Sequence, residues 1–102
     1  MQNLIPLASS VEGRMISTRV SAHPLRKQAE DLLRQGSEVI LNFEGIQVTQ
    51  SFIDELIGVL ILQQGPEVLT NIIFKNCSDD VEAIIKFVAA DRCDQYIKSH
   101  SH

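Results

Sequence analysis

The sequence predicts one α/β domain in which parallel strands alternate with helices. An almost unbroken apolar run at residues 38–43 is typical of a strand that is covered on both faces. Segments on both sides of this run carry apolar residues at the three- and four-residue spacing of helices. The 102 residues are near the common size of one domain, so we assign residues 1–102 to a single unit.

The N-terminal part, residues 1–14, is predicted to be an edge strand and a loop. The strand covers residues 3–8, and an edge position suits Pro6 because proline has no N–H for a neighbouring strand. A second short strand is predicted through residues 15–18. The apolar pattern that predicts a strand is weaker in these two segments than elsewhere in the chain.

The first helix is predicted over residues 21–35. Ser21 can cap its start, and Pro24 fits the first turn, where an N–H would have no partner. Gly36 is a natural end. Arg26 and its charged neighbours on the helix are expected to form a solvated face.

The second strand–helix unit is the most regular part of the sequence. Strand 38–43 leads through a turn at Gly45, where a positive φ is expected, into an apolar helix that begins at Ser51. Gly65 and Pro66 end this helix.

The C-terminal part is predicted to be a strand and a last helix. Residues 69–75 form the strand, Ser78 caps the helix, and residues 98–102 form a frayed tail. Together the elements indicate a mixed sheet of about four strands with roughly three helices packed mainly on one face. Successive parallel strands are joined by right-handed crossovers.

Composition limits the classes of function that we expect for this chain. No apolar run approaches the length of about 20 residues that a membrane span needs, and the N-terminus lacks the pattern of a signal peptide, so we expect a cytoplasmic protein. Cys77 and Cys93 are then expected to be reduced thiols, because neither stands at the spacing of a metal site. No nucleotide-binding motif is present, so no cofactor and no metal are predicted.

Charge favours a protein partner over nucleic acid or membrane. The net charge is −4, and residues 37–67 hold five acidic and no basic residues. This acidic segment disfavours contact with a phosphate backbone and suits a basic protein surface.

Ser51 and two acids stand at the start of the central helix. The hydroxyl of Ser51 could be the N-cap, which is worth about 1 kcal/mol, or it could accept a phosphoryl group. Asp54 and Glu55 are adjacent and point about 100° apart, so they cannot flank one reacting bond and are better suited to docking. Arg19 could pair with an acid or contact a partner or a phosphate. These residues do not predict an enzyme.

The block from Val39 to Leu56 resembles a family of STAS-like domains of unknown function, DUF4325. The resemblance rests on the run Asn-Phe-Glu-Gly at 42–45 and on Gln-Ser-Phe-Ile-Asp-Glu at 50–55, and it extends over roughly residues 15–92. It implies a STAS-like fold, and through it a distant relation to the anti-sigma factor antagonists.

In the anti-sigma factor antagonists, the first serine of an Asp-Ser-Ser-Gly helix start is phosphorylated by a kinase with a histidine-kinase-like ATPase fold. The resemblance places Ser51 at that serine, while Gln50, Phe52 and Ile53 stand at the three other motif positions and differ in type. It therefore implies an ATPase or kinase partner for this chain and makes Ser51 a candidate phosphoacceptor.

Together these observations predict a non-enzymatic regulatory module for protein–protein interaction, switched at Ser51. The predicted partner-binding residues are Thr49, Gln50, Ser51, Phe52, Asp54, Glu55 and Arg19. The alternative is a small oligomeric structural module, paired through the edge strand at residues 3–8, in which Ser51 is only a helix N-cap. The sequence does not specify an oligomeric state.

Overall fold

A computed structural model describes residues 4–6, 15–16 and 19–100 of the chain. The elements in chain order are β1 (Leu4–Pro6), β2 (Met15–Ile16), α1 (Arg19–Arg34), β3 (Val39–Asn42), β4 (Gln47–Val48), α2 (Gln50–Ile53), a π-helical segment (Asp54–Gly58), α3 (Val59–Gln64), a 3-10 helix (Pro66–Asn71), β5 (Ile72–Lys75) and α4 (Asp79–His100). The α2, π-helical and α3 segments follow one another without a break, and we call residues 50–64 the central helix.

The strands form a three-stranded parallel sheet in the order β1-β3-β5 and a separate parallel pair, β2 with β4. The predicted mixed sheet of about four strands is therefore not confirmed, since every described pair is parallel. The predicted edge position of β1 is confirmed, and Pro6 lies opposite Asn42 of β3. The rest of the predicted N-terminal strand and loop lies outside the described residues.

Strand β3 is the centre of the sheet and is buried along its length. Val39, Ile40 and Leu41 are all almost inaccessible to solvent, as the unbroken apolar run predicts. Val39 and Leu41 belong to the same apolar cluster as the buried side chains of the helices, whereas Ile40, which points to the opposite face, does not. The described helices therefore pack on the face of the sheet that carries Val39 and Leu41.

Helix α1 begins two residues earlier than the sequence predicts. Ser21 is inside the helix rather than its N-cap, and Pro24 lies beyond the first turn, where it removes one backbone hydrogen bond. Burial of the apolar face, which includes Leu25 and Ala29, outweighs that loss. The predicted end at Gly36 is confirmed, because the N–H groups of Gly36 and Ser37 bond back into the last turn of the helix.

A turn and a two-residue strand connect β3 to the central helix. The N–H of Ile46 donates to the carbonyl of Phe43 at 3.0 Å, and Gly45 has the predicted positive φ, +72°. The sequence analysis did not find β4. Two residues are too few to show a period, and β4 is held by β2, which is remote in the chain.

The central helix ends at Gln64, and Gly65 with Pro66 closes it as predicted. The first half of the predicted strand at 69–75 is a 3-10 helix instead. Its turn is stabilised by the hydroxyl of Thr70, which donates to the carbonyl of Glu67 at 2.8 Å. Only Ile72–Lys75 is extended, and it pairs with β3.

Helix α4 starts at the predicted place, because the hydroxyl of Ser78 accepts a hydrogen bond from the N–H of Val81 at 3.2 Å. The helix continues to His100, so residues 98–100 are helical where the sequence predicts a frayed tail. An ion pair between Lys98 and Asp94 and the stacked rings of Tyr96 and His100 accompany this extension. No helix among the described residues has the length and apolar character required to cross a membrane.

Candidate functional site

Thr49, rather than Ser51, caps the central helix. The backbone of Thr49 is extended, with φ −102° and ψ 164°, and its Oγ1 accepts a hydrogen bond from the N–H of Phe52 at 3.3 Å. The prediction that Ser51 is the N-cap is therefore wrong. The helix begins at Gln50 because β4 ends at Val48, so the last extended residue is Thr49.

Ser51 is the second residue of the central helix, and its side chain is exposed to solvent. Gln50 beside it is also exposed, and Thr49 is half-buried. The three consecutive polar residues Thr49, Gln50 and Ser51 form a small surface, which we call the helix-start surface.

Phe52 does not belong to the helix-start surface. Its side chain is fully buried and lies in the main apolar cluster with Phe43 and Leu56. Because a partner could reach the ring only if the core opened, we leave Phe52 out of the surface that we propose to bind a partner. Phe52 instead fixes the first turn of the helix to the core.

Asp54 is also turned inward. It is 8 % exposed, and its Oδ1 accepts a hydrogen bond from Nε of Arg92 on α4 at 2.5 Å. Gly58 makes room for this pair, since a Cβ at that position would lie 2.5 Å from the same Oδ1 and 3.1 Å from Cγ of Arg92. Because its carboxylate pairs with Arg92 inside the protein, we leave Asp54 out of the surface that we propose for docking.

Glu55 forms an ion pair with α1, the helix on the other side of the central helix from α4. Its Oε2 accepts a hydrogen bond from Nε of Arg26 on α1 at 2.8 Å, and Arg26 also pairs with Glu30. Arg26 and Glu30 are both buried, so Arg26 is not part of a solvated face as the sequence predicts. The Glu55 side chain is mostly covered, with 18 % of its surface exposed.

The two adjacent acids therefore tie the central helix to both flanking helices, Asp54 to α4 and Glu55 to α1. Both acids lie in the π-helical segment, where the N–H of Val59 bonds to the carbonyl of Asp54 five residues earlier. The sequence pattern does not predict Arg26 and Arg92 as the partners of these acids. An acidic residue in the first turn of a helix can be recognised from the local sequence, but a cation 29 or 38 positions away cannot.

Arg19 is the first residue of α1, and its proposed contact with a partner or phosphate stays a prediction. Cys77 and Cys93 are free thiols, as predicted. Burial, together with the charge of Glu82, raises the pKa of the Cys77 thiol, so this group is protonated at neutral pH. No group of three or more metal-ligating side chains occurs among the described residues.

Comparison with known proteins identifies the family of this chain. A family model described as a STAS-like domain of unknown function, DUF4325, matches residues 21–82, which is more than half of the chain. Neither the curated proteins nor the solved structures compared with the chain include a match. The matched segment contains β3, the helix-start surface and the two acids of the π-helical segment. The chain therefore belongs to the DUF4325 family of STAS-like domains.

Proposed function

We propose that this domain is a non-enzymatic regulatory module that binds a partner protein through the helix-start surface and is switched by phosphorylation of Ser51. The observation that carries the proposal is that the hydroxyl groups of Thr49 and Ser51 have different environments. Thr49 supplies the cap, and Ser51 is exposed. A phosphoryl group on Ser51 would therefore not remove the N-cap from the helix.

Charge supports a switch at this position. A phosphoserine adds a charge of about −1.5 to −2, and Gln50 and Thr49 beside Ser51 are neutral. Glu55 follows Ser51 by about one helical turn and already pairs with Arg26. Phosphorylation would therefore turn a neutral contact surface into a strongly acidic one and change which partner it fits.

The proposed partner is an ATPase or kinase with a histidine-kinase-like fold, acting in the cytoplasm. This choice rests on the likeness of the helix start to that of the anti-sigma factor antagonists. The contact residues we now propose are Thr49, Gln50, Ser51 and Arg19. Phe52, Asp54 and Glu55 serve to hold the surface in place.

The proposal is tested by purifying the tagged chain from its own cells and mapping phosphorylated residues on the same sample. Wild type is compared with Ser51→Asp and Ser51→Ala. Gln63→Glu is the matched control, because it adds one negative charge at an exposed position of the same helix outside the helix-start surface. We expect phosphate on Ser51 in the wild type. We also expect a co-purified protein that Ser51→Ala and Gln63→Glu retain and Ser51→Asp loses.

Two results would contradict the proposal. One is an unmodified Ser51 together with the same set of co-purified proteins for all four chains. The other is equal loss of the partner from Ser51→Asp and Gln63→Glu, because the effect would then report added charge anywhere on the helix rather than charge at Ser51. Thermal unfolding of each variant shows that the fold is intact.

A further inference from the structure

A cleft of roughly 880 Å³ lies between the connection that follows β3 and the first turns of α4. One wall is formed by Phe43, Ile46 and Val48, and the other includes Val81 and Ile84. Asn42 and Asn76 stand at the ends of β3 and β5 and are joined by a 2.8 Å hydrogen bond between their side chains. The cleft therefore opens at the carboxyl ends of these parallel strands, the edge where open α/β sheets bind their ligands.

An exposed apolar strip continues the cleft along α4. Ala83 and Ile84 line the cleft, and Phe87 follows them by four and three residues, so it lies one helical turn further on the same face. The ring of Phe87 is 58 % exposed. An aromatic side chain left open to water next to an apolar cleft is typical of a contact surface.

Acidic side chains outnumber basic ones around the cleft. Asp80 lines the cleft and Asp79 is exposed in the same first turn of α4, while Glu82 pairs with Lys86 at 2.8 Å. Glu44 is exposed in the turn that forms the opposite side. Lys75 and Lys86 are the basic residues that the sequence has between positions 35 and 91. The apolar lining and the surrounding charge of the cleft therefore favour binding of a segment that has apolar side chains and basic residues beside them.

We propose that this cleft, with Phe87, binds an apolar segment with lysine or arginine flanks in a partner protein. The inference deepens the proposed function and rests on it, because it treats the domain as a protein-interaction module. Val48 lines the cleft and Thr49 follows it directly, so a segment bound in the cleft would adjoin the helix-start surface. The cleft would hold the partner, and Ser51 at its border would regulate the contact.

The test uses the full chain, labelled with ¹⁵N, and two synthetic amphipathic peptides with the same pattern of leucines. One peptide carries lysine at its polar positions, and the other carries glutamate. We expect the lysine peptide to bind about tenfold or more tightly and to shift the amide signals of Ile46, Ile84 and Phe87. We expect its affinity to fall as salt is added.

Two matched pairs of variants assign the binding to this cleft. Phe87→Ala should weaken the lysine peptide about tenfold, whereas Ile97→Ala, at an equally exposed apolar position on the same helix (59 %), should leave it unchanged. Asp80→Asn should weaken binding more than Glu67→Gln, which removes the same charge from an exposed position away from the cleft.

Equal affinity for the two peptides would overturn the inference, and so would equal effects of Phe87→Ala and Ile97→Ala. Signals of the cleft that shift when the chain alone is concentrated would identify a second copy as the occupant and would also overturn it. The peptide assay does not require phosphate on Ser51, so it tests the cleft separately from the switch. If the lysine peptide does not bind but a Ser51-dependent partner is found in cells, the cleft is rejected and the switch is retained. If the peptide binds but Ser51 carries no phosphate in cells, the switch is rejected and the cleft is retained.

Discussion

Replacement of Arg92 by methionine should strongly destabilise the domain. Methionine keeps an unbranched apolar stem but removes the cation, so the carboxylate of Asp54 stays buried without its partner on α4. Loss of one member of a buried ion pair costs about 3–5 kcal/mol. The side chain of Arg92 is 25 % exposed, and water reaches part of the pair. We therefore expect a cost of about 2–3 kcal/mol, which is a fall of about 10–20 °C in Tm for a domain of this size.

Chemical denaturation and thermal unfolding by circular dichroism measure this cost. The matched control is Lys98→Met, which breaks an ion pair on the same helix whose lysine is 75 % exposed, and it should cost about 0.5 kcal/mol or less. The double variant Asp54→Leu with Arg92→Met replaces the whole pair by apolar groups and should recover most of the stability.

An Arg92→Met variant that loses no more stability than Lys98→Met would contradict this expectation. So would a double variant that is less stable than Arg92→Met alone, because the cost would then come from lost packing around α4 rather than from loss of the cation beside Asp54.

Three further predictions concern single positions. Thr49→Ala should cost about 1 kcal/mol because it removes the cap, while Ser51→Ala should change stability by less than about 0.5 kcal/mol; the opposite order in urea unfolding would return the cap to Ser51. Gly45→Ala should cost about 1–2 kcal/mol because its φ of +72° is unfavourable for a side chain, and a fully stable variant in the same assay would contradict this. The raised pKa of Cys77 means that the unfolded thiol ionises first as the pH rises, so stability is lost above the unfolded pKa. Alkylation of Cys77 at mildly alkaline pH, followed in a variant with Cys93 replaced, should be slower in the folded chain than in denaturant, and Glu82→Gln should accelerate it.

Local signals in the sequence predict the features that depend on a few neighbouring residues. Gly36, Ser78 and the pair Gly65-Pro66 set helix boundaries within their own turns, and the structure confirms each of them. The apolar run of β3 likewise reports burial on both faces, because every side chain of a covered strand must be apolar.

The features that the sequence does not predict depend on residues far apart in the chain. The start of the central helix moves to Gln50 because β4 pairs with β2, and neither two-residue strand shows a pattern. Asp54 and its cation are separated by 38 positions, and Glu55 and Arg26 by 29. The pattern at 50–55 thus identifies a helix start correctly, but it does not show that its acids turn toward α1 and α4.

The Asp54–Arg92 bridge couples the evolution of two distant sites. A change that neutralises one position makes the other costly, so relatives should lose the acid and the arginine together or keep both. The segment shared with the family, residues 21–82, includes the acid but stops before the arginine. In this chain the acid of the family segment is therefore paired with a cation from beyond that segment, which makes α4 part of the same folded unit.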